Sequence, residues 1–266
     1  SSTSVGDFDG DGDLDLLITG NKESSFGVTR TAKIYVNNDG TFDGAGSADD
    51  ALKAVYQSSS SVGDFDGDGD LDLLLTGRVD NNNQIARVYT NDGSGTFTEA
   101  GTGDGNLTGV EESSTSAEDF DGDGDLDLLI TGVSNNTFTA KIYTNDGDGT
   151  FTEAGTDDDA LKGVDKSSSS VGDFDGDGDL DLLITGRRGN RNKTAKIYFN
   201  DGNGTFSQAG AADDALAGVD LSSTSVGDFD GDDDLDLLLT GRVDNNNQIA
   251  RVYTNDGSGT FTEAGT

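Results

Sequence analysis

The chain has 266 residues, with 16 Lys and Arg against 52 Asp and Glu, a formal charge of −36, and no His, Cys, Met, Pro or Trp. Without Cys there is no disulfide framework, thiolate metal site or cysteine nucleophile, and without His the usual general base and the commonest transition-metal ligand are missing. So acidic a surface repels phosphate backbones and anionic lipid, which argues against nucleic-acid partners and membrane-surface binding. No apolar run approaches the roughly 20 residues of a membrane-spanning helix, which argues against membrane insertion. The sequence shows no signal-peptide pattern, and the lack of an initiator Met is expected of a processed chain or a segment of a longer one.

A composition of 31% hydrophobic residues with this charge would point toward disorder if the residues were scattered. They recur in register instead. The string Asp-Phe-Asp-Gly-Asp begins at Asp7, Asp64, Asp119, Asp173 and Asp228, a repeat of about 55 residues that is the signature of a solenoid, propeller or array. Ser61–Thr102 and Ser225–Thr266 differ at one position, Gly69 against Asp233, as after a recent duplication.

In the second copy the elements run as follows. Ser58–Phe65 is a small, Ser-rich strand that enters an acidic glycine loop. Leu71–Thr76 is a continuous apolar run, the mark of a strand buried on both faces. Ala86–Thr90 alternates, as do Ala32–Val36, Ala140–Thr144, Ala195–Phe199 and Ala250–Thr254. Asn91-Asp92-Gly93-Ser94-Gly95 supplies a hairpin turn, and Thr96–Glu99 is a fourth strand. Only Asp49–Val55, Asp158–Val164 and Asp213–Val219 could form a single helical turn.

Four strands per unit of this size match a propeller blade, whereas ankyrin and tetratricopeptide units are shorter and helical. The expected fold is all-β: a single repeat domain forming a five-bladed β-propeller of four-stranded antiparallel blades, near residues 1–46, 58–102, 113–156, 167–210 and 222–266. Because the first and last units are both whole, no strand is left to close the ring by exchange. Closure then rests on blade-to-blade packing, with an open superhelix or a blade array shared between chains as the alternative. Thr266 matches Thr102, after which the second copy continues through Gly103–Glu112, so the chain is expected to stop where a linker to another unit would begin.

The acidic loop carries the chemistry. Its odd positions are Asp7, Asp9, Asp11, Asp13 and Asp15 in the first copy and Asp64, Asp66, Asp68, Asp70 and Asp72 in the second. They are Asp119, Asp121, Asp123, Asp125 and Asp127 in the third, and Asp173, Asp175, Asp177, Asp179 and Asp181 in the fourth. The fifth has Asp228, Asp230, Asp232, Asp234 and Asp236. Carboxylates at positions one, three and five converge when the chain turns sharply at a glycine in position six. A carbonyl at seven and a carboxylate at nine can complete an oxygen cage, the logic of the first half of an EF-hand loop. Oxygen donors without N or S select Ca²⁺, while Mg²⁺ demands tighter octahedral geometry. About one Ca²⁺ per repeat, up to five, is expected. The five windows hold half of the 52 acidic residues, whose mutual repulsion a cation would relieve.

The pattern Val-Gly-Asp-Phe-Asp-Gly-Asp-Gly-Asp-Leu-Asp-Leu-Leu, followed by Ile-Tyr-Thr-Asn-Asp-Gly-x-Gly-Thr-Phe, resembles the FG-GAP/VCBS repeat over essentially the whole chain. That family includes the calcium-binding blades of integrin α-chain propellers and many bacterial surface proteins. The resemblance implies four-stranded blades with Ca²⁺ in the loop between the first two strands. The fifth copy departs from the pattern at Asp233, which stands where the family has glycine at position six. Many members also have a bulky aromatic before the loop, where this chain has Val5, Val62, Ala117, Val171 and Val226.

Tyr35, Tyr89, Tyr143, Tyr198 and Tyr253 could stack on sugars but are read as packing between blades. The cations Arg78, Arg187, Arg188 and Arg242 are read as solvated loop charges rather than an acidic partner's site. Asn106, Asn135, Asn192 and Asn203 lie in Asn-x-Ser/Thr sequons, about as many as chance supplies. The function expected is that of a calcium-binding, extracellular or cell-surface binding and adhesion module, non-catalytic, for a protein or glycan ligand on the cell surface or matrix. The alternative is a structural repeat protein that self-associates into a filament or surface layer; a sugar-binding, lectin-like propeller ranks below it. An enzyme is not expected, since no nucleophile–base pair can be assembled and the carboxylates are committed to metal.

Overall fold

The computed structural model describes residues 1–24, 27–45, 51–80, 83–100, 107–154, 161–189, 192–213 and 215–265. They form five four-stranded antiparallel sheets in which strand order follows chain order. The first blade is β1 (Ser2–Gly6), β2 (Asp15–Ser24), β3 (Gly27–Asn38) and β4 (Thr41–Gly44); the second is β5 (Tyr56–Gly63), β6 (Asp72–Asp80), β7 (Asn83–Asn91) and β8 (Phe97–Glu99). The third is β9 (Glu111–Glu118), β10 (Asp127–Ser134), β11 (Thr137–Asn145) and β12 (Phe151–Glu153). The fourth is β13 (Asp165–Gly172), β14 (Asp181–Arg188), β15 (Asn192–Asn200) and β16 (Phe206–Gln208). The fifth is β17 (Asp220–Gly227), β18 (Asp236–Arg242), β19 (Gln248–Asn255) and β20 (Phe261–Glu263).

The apolar run in each second strand works on both faces because side chains alternate along a strand. Leu73 and Leu75 join the core shared with the first blade, together with Leu17 and Ile34, while Leu74 faces the core shared with the third. The chain therefore has no single centre; its cores lie between successive sheets. The inner strands are held by hydroxyls instead. Ser4 Oγ lies 2.6 Å from Ser60 Oγ, Ser61 Oγ 2.7 Å from Thr115 Oγ1, and Ser170 Oγ 2.6 Å from Thr224 Oγ1. Small side chains allow this close approach, which is why the first strands are rich in Ser.

Inner strands of the second to fifth blades begin two residues before the expected starts, at Tyr56, Glu111, Asp165 and Asp220. The extra length carries a bulge in which Gln57, Glu112, Lys166 and Leu221 take φ near +50° (51°, 51°, 51° and 50°). The segments expected as helical turns mostly serve another purpose. Leu52, Val55, Leu161, Val164, Leu216 and Val219 are buried, and Val55 and Val219 bridge back to Thr31 and Thr194. The 3-10 turn among the described residues is Gly210–Asp213, at the front of the third segment. Residues 49–50, 158–160 and 214 of these segments lie outside the described residues.

Successive blades are joined by shared cores, hydroxyl pairs and edge-to-face rings: Phe8 with Phe97, Phe65 with Phe151, Phe120 with Phe206 and Phe174 with Phe261. Among the described residues no such hydrogen bond, ring pair or core cluster joins the fifth blade to the first. Phe229 and Phe42, the counterparts of those rings, are 48% and 45% exposed. The expected ring closure is thus not made by the contacts that bind the other blades.

Candidate metal centre

Each acidic loop links the first and second strands of its blade, as its position in the repeat predicts. In the second blade, Asp64 caps the turn with its own carboxylate: Oδ1 accepts the Gly67 N–H at 2.8 Å and Oδ2 the Gly69 N–H at 3.0 Å. Gly69 sits at φ 95°, the left-handed region in which a side chain is strained. Asp72 is fully buried; its Oδ2 accepts the Phe65 N–H at 2.9 Å and its Oδ1 the Asn91 N–H at 2.9 Å. Burial pushes its carboxyl up to about 6, against the lowering by those two N–H groups, and the same holds for Asp127 and Asp181.

The fold brings positions one, three and nine together. Asp7, Asp9 and Asp15 offer carboxylate oxygens within 4.8 Å of one another, as do Asp64, Asp66 and Asp72, and Asp119, Asp121 and Asp127. Asp173, Asp175 and Asp181, and Asp228, Asp230 and Asp236, complete the five triads. The position-three carboxyls of Asp66, Asp121 and Asp175 are raised first by burial and then by the neighbouring position-five charge. Asp66 Oδ1 and Asp175 Oδ1 are buried without a hydrogen-bond partner. Converging oxygens, mutually repelling carboxylates and orphaned acceptors suit a hard divalent cation.

Positions five and seven are not members of these triads, although the position-five carboxylate lies beside position three. Asp11, Asp68, Asp123, Asp177 and Asp232 each accept, at Oδ1, the backbone N–H of the position-seven residue. Asp13 accepts the Asp39 N–H at 2.9 Å with its Oδ2. Asp70, Asp125, Asp179 and Asp234 lie against Gly93, Gly147, Gly202 and Gly257, where a Cβ would run into their carboxylates. The position-seven side chain therefore braces the loop against the blade's own β-hairpin.

A profile of the FG-GAP-like repeat matches the chain at residues 7–75, 64–130, 119–184 and 173–239, each match running from one acidic loop through the next. The chain belongs to the FG-GAP-like repeat family. No curated protein sequence matches it. Its fold is similar to that of an Agrocybe aegerita lectin that recognises non-reducing terminal N-acetylglucosamine, with a TM-score of 0.58 at 22% identity over 98% of this chain. The chain spans 64% of that lectin's length. It is similar also to the exotype rhamnogalacturonan lyase YesX, with a TM-score of 0.57 at 20% identity, covering 98% of this chain and 48% of the lyase. A variant of Aleuria aurantia lectin in complex with α-methyl-L-fucoside gives a TM-score of 0.53 at 10% identity, covering 100% of this chain and 78% of the lectin.

In this FG-GAP-like chain the fifth loop keeps its siblings' geometry. Asp233 adopts φ 73°, and its N–H reaches Asp228 Oδ2 at 3.2 Å. The tyrosines Tyr89, Tyr143, Tyr198 and Tyr253 are fully buried between blades, and each hydroxyl accepts a backbone N–H, from Lys53, Thr108, Lys162 and Ala217. Three of the cations read as solvated are ion-paired: Arg78 with Glu111 at 2.8 Å, Arg187 with Asp165 at 2.6 Å and Arg242 with Asp220 at 2.7 Å. Asn135, Asn192 and Asn203 are exposed, while Asn106 lies outside the described residues.

The sequence reading missed Asn91, Asn145, Asn200 and Asn255. Each donates its N–H to the position-nine carboxylate and its Nδ2 to the carbonyl of the preceding blade's loop Phe. The signal was present as an Asn before Asp-Gly in every one of these units, but it read as a turn residue.

Proposed function

We propose that the chain is a calcium-binding, non-catalytic binding module that works outside the cell or at its surface. The five Asp triads at equivalent places carry this reading. Each offers oxygens alone, and position nine is buried and already held by two backbone N–H groups, so it is preorganised to meet a cation. Ca²⁺ tolerates the irregular oxygen cages that such loops can make, whereas Mg²⁺ keeps its waters and needs near-octahedral geometry. Extracellular modules of this type bind at roughly 10⁻⁴–10⁻³ M, a range met outside the cell.

The ligand class proposed is a glycan or a protein on the cell surface or matrix. Lectins among proteins of similar fold favour the glycan, as a likeness of architecture. The chain holds no His or Cys from which to build a nucleophile–base pair, which supports a binding role over catalysis. Calorimetric titration with Ca²⁺ tests the metal: up to five sites are expected, and no heat with Ca²⁺ would overturn it. A glycan array probed in Ca²⁺ and again in EGTA tests the ligand class, with binding expected only in Ca²⁺.

A further inference from the structure

We infer that the uncovered faces of the first and fifth blades are the two halves of a head-to-tail contact between copies of this chain, Phe229 of one copy seating against Phe42 of the next. The inference rests on the blade architecture and is independent of the calcium and ligand readings.

The internal blade contact, made four times, defines what the missing one would contain. Its first part is the ring pair, such as Phe8 and Phe97 with centroids 5.8 Å apart. The corresponding pair across the terminal faces is Phe229 with Phe42, both nearly half exposed while their counterparts are at most 3% exposed. Its second part is the inner-strand hydroxyl pair, as in Ser61 with Thr115. The terminal counterparts are Ser225 and Thr3, and both are exposed. Its third part is a leucine set on a glycine of the preceding blade: a Cβ at Gly6, Gly63 or Gly172 would strike Leu71, Leu126 or Leu235. Gly227 meets only Phe229, and Leu14, the leucine that would cover it, is 60% exposed. Its fourth part is the Asn–carbonyl bond, as from Asn91 Nδ2 to the Phe8 carbonyl at 2.9 Å. The first-blade counterpart, Asn37, donates Nδ2 to Leu14 of its own blade at 3.1 Å.

The two faces are therefore complementary residue by residue and differ from one another, which makes the contact heterologous. Such a contact gives a closed ring if the rotation between copies closes and a filament if it does not. Docking would also cover the fifth acidic loop with the first blade's hairpin, as Gly10 is approached by the Gly93 carbonyl within the chain. The net charge of −36 opposes association at low salt, and at about 0.15 M salt the repulsion is screened beyond roughly 8 Å.

Sedimentation velocity at that salt, with Ca²⁺ present, tests the contact on the whole chain. The wild type is expected to form species heavier than its 27.4 kDa monomer, increasing with concentration. Phe42→Asp and Phe229→Asp each remove one half and are expected to be monomeric alone. Mixed, they retain one intact pair of faces and are expected to give a one-to-one dimer and nothing larger. Thr152→Asp, an exposed change on the outer strand of the third blade, is expected to leave assembly unaltered, and circular dichroism of every variant reports on folding. A wild type that stays monomeric up to its solubility limit would show that the ring closes within one chain or that the faces stay bare, and would overturn the inference. Assembly by either single variant, or a mixture that remains monomeric, would overturn it as well.

Discussion

Asn145 of the third blade donates its Nδ2 to the Phe65 carbonyl of the second at 2.9 Å and to the Leu126 carbonyl of its own loop at 3.1 Å. Its backbone N–H is given to Asp127 Oδ1 at 2.9 Å. One buried residue thus ties the position-nine carboxylate of its own blade, through the backbone N–H, to the acidic loop of the blade before it, through the side chain. The loops of the first four blades are therefore not separate turns; each is clamped between two sheets, whereas among the described residues no such bond from another blade reaches the fifth.

Replacing Asn145 by Ala would leave two buried carbonyls without their donor, at a cost of about 1–3 kcal/mol for each group not rescued by water. Asn37→Ala, which lacks the cross-blade bond, is expected to cost less. Calorimetric melting of the two variants against wild type measures the difference.

The triads separate the acidic residues into two groups with different consequences. Asp66→Asn removes a triad member and is expected to lower the Ca²⁺ stoichiometry by one site. Asp70→Asn leaves the triad intact and is expected to keep the stoichiometry while lowering stability, because it weakens the brace against Gly93. Titration calorimetry distinguishes them.

Filling the loops is expected to stabilise the fold by mass action, by about 2.7 kcal/mol for each independent site when free Ca²⁺ is 100 times its dissociation constant. EGTA is then expected to lower the melting temperature markedly, with Mg²⁺ restoring little of it. An unchanged melting curve would contradict the calcium reading.

Two sets of carboxylates predict opposite responses to acid. Asp72, Asp127 and Asp181 sit at about 6 in the folded state, above the ordinary 3.8, so the calcium-free fold binds protons more tightly than the unfolded chain. In EGTA their contribution favours folding increasingly as pH falls from 7 toward 4, while Ca²⁺ affinity falls over the same window because protons compete for the ligands. Asp220 is the reverse. The Arg242 guanidinium first, and Lys193 beside it, hold it down at about 2 from 3.8. Its contribution, on the order of 2 kcal/mol, is complete above pH 4 and lost as pH falls through 2. Melting curves against pH in EGTA, for wild type and Asp220→Asn, are expected to show the first trend in both and the acid loss at the lowest pH only in wild type.

The fifth loop supplies its own control, since its copy differs from the second at Asp233 alone from Ser225 onward. Asp in the left-handed region costs on the order of 1 kcal/mol relative to Gly. Asp233→Gly is expected to tighten one Ca²⁺ site, by up to about tenfold if the whole strain is relieved. Equal or weaker binding would show that the extra carboxylate outweighs the strain.

Much of this protein was determined by sequence alone, because its information is local and repeated. The Leu-Leu-Leu run at 73–75 states a strand buried on both faces, and Asn-Asp-Gly at 91–93 states a turn. The spacing of Asp64, Asp66 and Asp72 places their carboxylates on one loop. Other features needed the tertiary structure, because they depend on atoms from different blades. Asp70 and Asp66 are the same residue type four positions apart, and only the approach of Gly93 shows that one braces while the other belongs to the triad. Asn145 reads as a turn former until Phe65, from the neighbouring sheet, presents its carbonyl. Phe42 and Phe261 occupy equivalent places in the repeat, yet one is exposed and the other buried. What decides between them is whether another blade stands beside the sheet, and no repeat unit encodes that in its own residues.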